Sequence, residues 1–508
     1  MFHYNKIQKN IILYKIFNLH LRGDSMQKLI VKQTCIEVHD YNLGDQINLE
    51  KSLSVWNDSY FRYEPKGFDY DEENRILYLP RGMDIGFLER LFNRPIEMDR
   101  KYNDYQKASY KLIAEPRDEI QVKSIAYLIG ENDFGYTKRY SQQLLNLDTS
   151  IGKTYVTIAA STFLQVNSII ITHQDRIKNQ WINSFKKFTN ISELAMCDIT
   201  GSKQINKLMK MSKIPYKVFF INHGTLKSWC KKNGWENLND VFIHLGIGLK
   251  VFDEAHIEFK SVLKIDFHTN VFKTFYLTAT FERSEYDENK VFNQCFKNIA
   301  KFGKEVSKDV RKHIVYLAVK FDSKPSLSDK INIKGPKGFN RNAYIDYELD
   351  KGRIMDVIEY LIDFFKDKEG KILILSSKID SSFKIKEYLE EFRPYKKYMA
   401  WNSHVSDEEK AEAFTKDIIS GTNLSLGTGS DIPGLRFVIM TEPYSSSVTA
   451  KQVSGRLREY APDAYTFYIE LVDTGFPKVV EMYKKRLKVF KKKCVSINEI
   501  DFDKIPNK

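Results

Sequence analysis

Short apolar runs separated by longer amphipathic stretches set the outline of the chain. Between residues 106 and 310 they fall at Gln143–Leu147, Ser168–Thr172, Val218–Ile221, Leu249–Phe252 and Thr274–Leu277, each followed by polar residues. Continuous rather than alternating apolarity predicts strands covered on both faces, as in an open parallel sheet. A second series has strands expected at His313–Val319, Lys371–Leu375, Lys397–Ala400, Phe437–Met440 and Tyr465–Glu470, with helices between them at Arg353–Phe365 and Asp380–Phe392. Ahead of both, strands are expected at Leu29–Val38, Tyr60–Tyr63 and Ile76–Leu79, then a helix over Ile85–Phe92. The stretch Ser323–Asn342, carrying Lys, Ser, Gly and Pro, reads as a surface insertion or hinge.

The expected fold class is therefore α/β, with two tandem parallel-sheet domains over residues 106–312 and 313–495. A small N-terminal α/β accessory domain, residues 26–105, precedes them, and residues 496–508 read as a tail. The 508 residues agree with about three domains of ~150 each. Residues 1–25 are expected to be a mis-annotated extension. Arg22-Gly23-Asp24-Ser25 can be encoded by a purine-rich ribosome-binding stretch, which makes Met26 the expected start.

Charge adds a partner. A net charge of +13 points to a polyanion. No apolar run approaches the ~18–20 residues of a spanning helix, which favours nucleic acid over a membrane. The five cysteines Cys35, Cys197, Cys230, Cys295 and Cys494 are far apart and offer neither a disulfide framework nor zinc spacing. Reduced thiols in a bacterial or phage-infected host cytoplasm are the expectation.

Candidate chemistry begins at Leu145-Asn146-Leu147-Asp148-Thr149-Ser150-Ile151-Gly152-Lys153-Thr154. A strand end, tight turn and helix start aim backbone N–H groups at one place, which suits a phosphate chain. Lys153 would reach the β- and γ-phosphates and Thr154 would hold Mg²⁺. Leu147 stands where the strict pattern has glycine. Farther on, Val251-Phe252-Asp253-Glu254-Ala255-His256 takes an apolar strand into paired acids. Asp253 would hold Mg²⁺, and Glu254 would deprotonate the water attacking the γ-phosphate of ATP.

Asp253-Glu254-Ala255-His256 resembles the DEAH box, motif II, of superfamily 2 helicases, and other motifs follow in family order. Arg117 and Gln121 resemble the adenine-reading segment. Ile177-Lys178-Asn179-Gln180-Trp181 is similar to motif Ia, Asn222-His223-Gly224-Thr225-Leu226 to motif Ib, and Leu277-Thr278-Ala279-Thr280 to motif III. In the second half, Ile374-Leu375-Ser376-Ser377 resembles motif IV. Gly427-Thr428-Gly429-Ser430-Asp431 resembles a shortened motif V, and Gln452-Val453-Ser454-Gly455-Arg456-Leu457-Arg458 resembles motif VI. The resemblance is strongest to the phage UvsW and XPB-like branch. It implies two RecA-like domains and an ATP-dependent DNA helicase or translocase that remodels branched DNA in recombination, repair or replication.

The resemblance also implies the site. Catalysis would fall to Lys153, Asp253, Glu254, Gln452 and Arg456 or Arg458, one of these arginines being the finger. Nucleotide contacts would come from Arg117, Gln121, Thr149, Ser150, Ile151, Gly152, Lys153, Thr154, His256, Gly429 and Asp431, and Mg²⁺ from Thr154 and Asp253. Gln180, Gly224, Thr225, Thr280, Ser377 and Thr428 would touch nucleic acid. The run Lys484, Lys485, Arg486, Lys488, Lys491, Lys492 and Lys493 is either a phosphate-binding or a solvated helix face. Alternatives are a duplex translocase without unwinding, an RNA helicase, or a nucleic-acid-binding protein whose motor has decayed.

Overall fold

A computed structural model describes residues 28–57, 62–65, 67–130, 140–147, 151–279, 286–303, 312–335, 338–422, 432–444, 453–461 and 464–506. Two seven-stranded sheets dominate it. In the first, the spatial order is Met196–Ile199, Val218–Asn222, Ser168–Thr172, Leu249–Phe252, Lys273–Thr278, Gln142–Asn146 and Ala300–Phe302. Every pair in it is parallel. Strands such as Ser168–Thr172 are buried at every position, which is why they read as unbroken apolar runs.

The second sheet repeats that plan in the order Tyr398–Trp401, Ile418–Thr422, Lys371–Ser376, Leu435–Met440, Thr466–Asp473, Ile314–Phe321 and Ser496–Asp501. Here too the pairing is parallel throughout. In a parallel sheet all carboxyl ends lie on one edge, so the polar residues after each strand gather there. Across the two sheets, the Arg176 guanidinium carbon lies 5.9 Å from the Trp401 ring centre, so the two lobes meet.

Two expectations are corrected. Leu29–Val38 is two antiparallel strands, Leu29–Val31 and Cys35–His39, because the chain turns at residues 32–34. Residues beyond 495 are no tail: Ser496–Asp501 pairs with Ile314–Phe321 and closes the second sheet. The stretch Ser323–Asn342, expected as an insertion or hinge, carries among its described residues helix Leu327–Ile333 and the antiparallel pair Lys334–Gly335 and Gly338–Phe339, whose Phe339 packs on Tyr344 and Phe476.

The N-terminal unit has its own five-stranded sheet and packs against the first lobe. Its Leu29, Val38, Leu79 and Leu88 share one apolar cluster with Phe267, Tyr276 and Phe292 of the first lobe. Thr34 Oγ1 donates to the Thr269 carbonyl at 2.6 Å, and Gln142 Nε2 donates to the Thr34 carbonyl at 3.0 Å. Of the expected strand Tyr60–Tyr63, Tyr60 and Phe61 lie outside the described residues, and Arg62–Pro65 forms a strand with Ser54–Asn57.

Candidate functional site

The phosphate-loop helix spans Lys153–Leu164 and begins at Gly152, whose φ of 90° is one that glycine tolerates and a side chain strains against. Ahead of it Leu147 is fully buried, so the position where glycine is usual is filled by a core residue. Lys153 is itself buried, and its ammonium donates to the Leu147 carbonyl at 3.0 Å. Gln121 fastens the loop from behind. Its Nε2 donates to the Ile151 carbonyl at 2.8 Å, while its Oε1 accepts the Arg117 N–H at 2.8 Å. The Arg117 side chain is exposed and pairs with Asp118. Thr154 is half-buried on the first helical turn. Thr149 and Ser150 lie outside the described residues.

The acids emerge from the neighbouring strand Leu249–Phe252. Trp181 Nε1 donates to Asp253 Oδ2 at 2.7 Å, and the Glu254 N–H donates to Asp253 Oδ1 at 3.0 Å. Burial and the adjacent Glu254 carboxylate push the Asp253 pKa up, against the pull of Trp181, Lys153 and His173. A divalent cation would relieve that strain, and the Asp253 carboxylate with the Thr154 hydroxyl would supply the kind of hard-oxygen donors that Mg²⁺ takes. Glu254 holds a left-handed backbone, φ 46°, uncommon for a residue with a side chain.

His256, expected among the nucleotide contacts, has a different position. It is buried, with Nδ1 2.9 Å from Thr278 Oγ1 and 3.4 Å from Glu254 Oε2. It joins the acidic strand end to the Thr278 strand end. Burial pushes the pKa of His173, at the end of strand Ser168–Thr172, down, against the pull of Asp253, Glu254 and Glu258.

Other expected contacts sit on the same edge of the first sheet. Gly224 is exposed and Thr225 half-buried on helix His223–Asn233, and Gln180 is half-buried on helix Asp175–Phe188. Thr172 Oγ1 donates to Asn222 Oδ1 at 2.6 Å, and Asn222 Nδ2 donates to Asp175 Oδ1 at 2.7 Å, tying these helix starts together. In the second lobe the Ser377 N–H donates to Glu442 Oε1 at 2.6 Å and its hydroxyl to Asn342 Oδ1 at 3.2 Å. Arg456 is half-buried and Arg458 exposed, in a turn closed by Arg456 N–H donating to the Val453 carbonyl at 3.2 Å. Thr280, Thr428, Gly429, Asp431 and Gln452 lie outside the described residues.

The bond from Trp181 to Asp253 is what reading the sequence missed. Trp181 was visible as part of motif Ia, and its place on the buried stripe Ile177, Trp181, Phe185 was the signal. One basic residue is corrected. Arg486 faces inward, fully buried and ion-paired with Glu470, because it falls on the stripe Val479, Tyr483, Arg486, Phe490.

Two parallel-sheet lobes, with lysine and paired acids at the strand ends of the first, make an α/β fold like that of RecA-like domains. Residues 99–283 match the family described as type III restriction enzyme, res subunit. The chain is 25% identical over 395 residues to transcript termination protein A18 of Yaba monkey tumor virus (strain VR587), covering 73% of this chain and 75% of that protein. Its fold is similar to that of the DNA-bound, ATP-dependent type ISP restriction-modification enzyme LlaBIII. The TM-score there is 0.51 and the identity 14%, over 77% of this chain and 32% of that one. T4 UvsW aligns over 93% of this chain and 99% of its own, at 15% identity and a TM-score of 0.36. No helix among the described residues is long and apolar enough to cross a membrane.

Proposed function

We propose that the chain is a nucleic-acid-stimulated ATPase that converts hydrolysis into unwinding or remodelling of branched DNA. The convergence of Lys153, Asp253 and Glu254, with Trp181 bracing Asp253, carries this reading. Thr154 and Asp253 would hold Mg²⁺, which neutralises phosphate charge when bound. Glu254 takes the proton of the water whose oxygen attacks the γ-phosphorus, and ADP leaves with the electron pair of the broken bond. Arg456 or Arg458 meets the transferred phosphoryl from the second lobe, so closure of the lobes precedes hydrolysis. An arginine finger is worth on the order of a thousandfold or more in rate.

A link from His256 to Thr278 supports coupling of the hydrolytic site to the strand end that precedes the nucleic-acid contacts. The viral relative is described as a transcript termination protein. Displacement of RNA from a DNA template is therefore the second reading.

The test is ATP hydrolysis at one stated salt concentration with single-stranded, duplex and forked DNA, RNA, and an RNA–DNA hybrid. Forked DNA should stimulate most, and Lys153→Ala or Glu254→Gln should abolish turnover with the fold intact. Turnover kept in either variant would refute the assignment, and stimulation by the hybrid alone would favour the second reading.

A further inference from the structure

Helix Pro477–Lys493 presents two chemically opposite faces. Inward, Val479, Tyr483 and Phe490 enter the apolar cluster of the second lobe. Arg486 joins them, ion-paired with Glu470 and stacked 4.6 Å from the Tyr444 ring centre. This fastening fixes the rotation of the helix. Outward, Lys478, Glu481, Lys484, Lys485, Lys488 and Lys491 are exposed at three- and four-residue spacing, which makes one stripe.

The acids nearby are already engaged. Glu481 pairs with Lys478 at 2.7 Å and with Lys485 at 2.8 Å. Glu499 accepts from Lys320 and Tyr483, and Asp501 pairs with Lys504 at 2.8 Å. Among the described residues, Lys484, Lys488 and Lys491 enter no ion pair and so form a row of uncompensated cations. At 1.5 Å per residue the row is about 10 Å long. Duplex DNA rises 3.4 Å per base pair, so the row spans about three phosphates of one strand. Complementing the helix dipole does not account for it. That effect fades within the last turn, and Lys484 lies more than two turns before Lys493.

We propose that this outward lysine row is a second nucleic-acid site, separate from the cleft, which holds the backbone of a duplex arm. The inference rests on the proposed motor activity, because only a duplex engaged by the cleft brings an arm to this face. Charge complementarity selects the occupant. The stripe is cationic and bears no exposed aromatic residue for base stacking, so it grips phosphates without reading sequence. Its contribution is therefore salt-dependent and indifferent to base composition.

The experiment compares the full chain with a variant carrying Lys484→Gln, Lys488→Gln and Lys491→Gln. Binding of a fluorescent blunt DNA duplex is measured by anisotropy across ~50–200 mM salt. Glutamine keeps the helix propensity and removes the charge. Each lost phosphate contact lowers the log–log salt slope by about 0.9, so the slope should fall by roughly 2 to 3 and affinity by at least roughly tenfold. Hydrolysis stimulated by a short single strand should be unchanged.

A control variant with Lys213→Gln, Lys231→Gln and Lys232→Gln removes equal charge from exposed first-lobe positions. An equal drop in the control, or an unchanged slope in the test variant, overturns the proposal and leaves the motor reading standing. Failure of every nucleic acid to stimulate the wild type overturns the motor reading and this site with it.

Discussion

Trp181→Phe isolates one atom of the candidate site. The substitution keeps a ring in the Phe185 cluster but removes the N–H that reaches Asp253 Oδ2 at 2.7 Å. Hydrogen bonds to charged groups contribute about 1.5–3 kcal/mol, and Asp253 is crowded by protein and by the Glu254 carboxylate. Without the donor the carboxylate is less firmly oriented and more readily protonated, so the cation competes with a proton. At 1.4 kcal/mol per decade the expected loss is roughly tenfold to a hundredfold in apparent Mg²⁺ affinity. The assay is binding of a fluorescent ADP analogue, titrated with Mg²⁺ and repeated without metal. Binding without metal should hardly change, and half-saturation in Mg²⁺ should move to higher concentration. Phe185→Leu, which loosens the same cluster without touching Asp253, should lower the melting temperature and leave Mg²⁺ affinity alone. An unchanged Mg²⁺ half-saturation in Trp181→Phe would refute the reasoning.

Three further outcomes follow from other parts of the molecule. Glu254→Gly should relieve the left-handed backbone by about 1 kcal/mol and raise the melting temperature by about 2–4 °C while abolishing hydrolysis; no gain in calorimetry would show that φ 46° stores no strain. Burial and the Asp473 carboxylate push Glu348 up to about 9, so the folded chain keeps a proton that the unfolded chain releases. Second-lobe stability should then fall as pH rises from about 5 to 9, by at most about 1.4 kcal/mol per pH unit, and Glu348→Gln should flatten that dependence in thermal melts. Removal of residues 1–98 strips the first lobe of its partners in a shared core, and a folded, soluble product by circular dichroism would contradict that shared core.

Much of this was legible where one physical signal dominated. Strands such as Ser168–Thr172 lie in the middle of a parallel sheet, must be apolar on both faces, and announce themselves. Edge strands obey weaker rules: Met196–Ile199 and Ser496–Asp501 each have one neighbour and carry polar residues, so neither looked like sheet. Strand Ile418–Thr422 is fully buried yet contains Ser420, Gly421 and Thr422, whose burial depends on neighbours that the chain supplies elsewhere.

The site divides the same way. Lys153, Asp253 and Glu254 announce themselves through residue type and spacing. The Trp181 bond to Asp253 joins residues far apart in sequence and needed the fold to reveal it. Arg486 looked like one cation among many, although its register with Tyr483 and Phe490 marked it as inward.

The central claim is that two lobes act on one nucleotide, and Arg456→Ala and Arg458→Ala test it most directly. Nucleic-acid-stimulated ATP hydrolysis and binding of a nucleotide analogue are measured on the same preparations. The account predicts that one of the two variants binds nucleotide as the wild type does and loses at least a hundredfold in turnover, the mark of a group that acts on the transition state from the opposite wall. Wild-type turnover in both variants, and in the double variant, would contradict it.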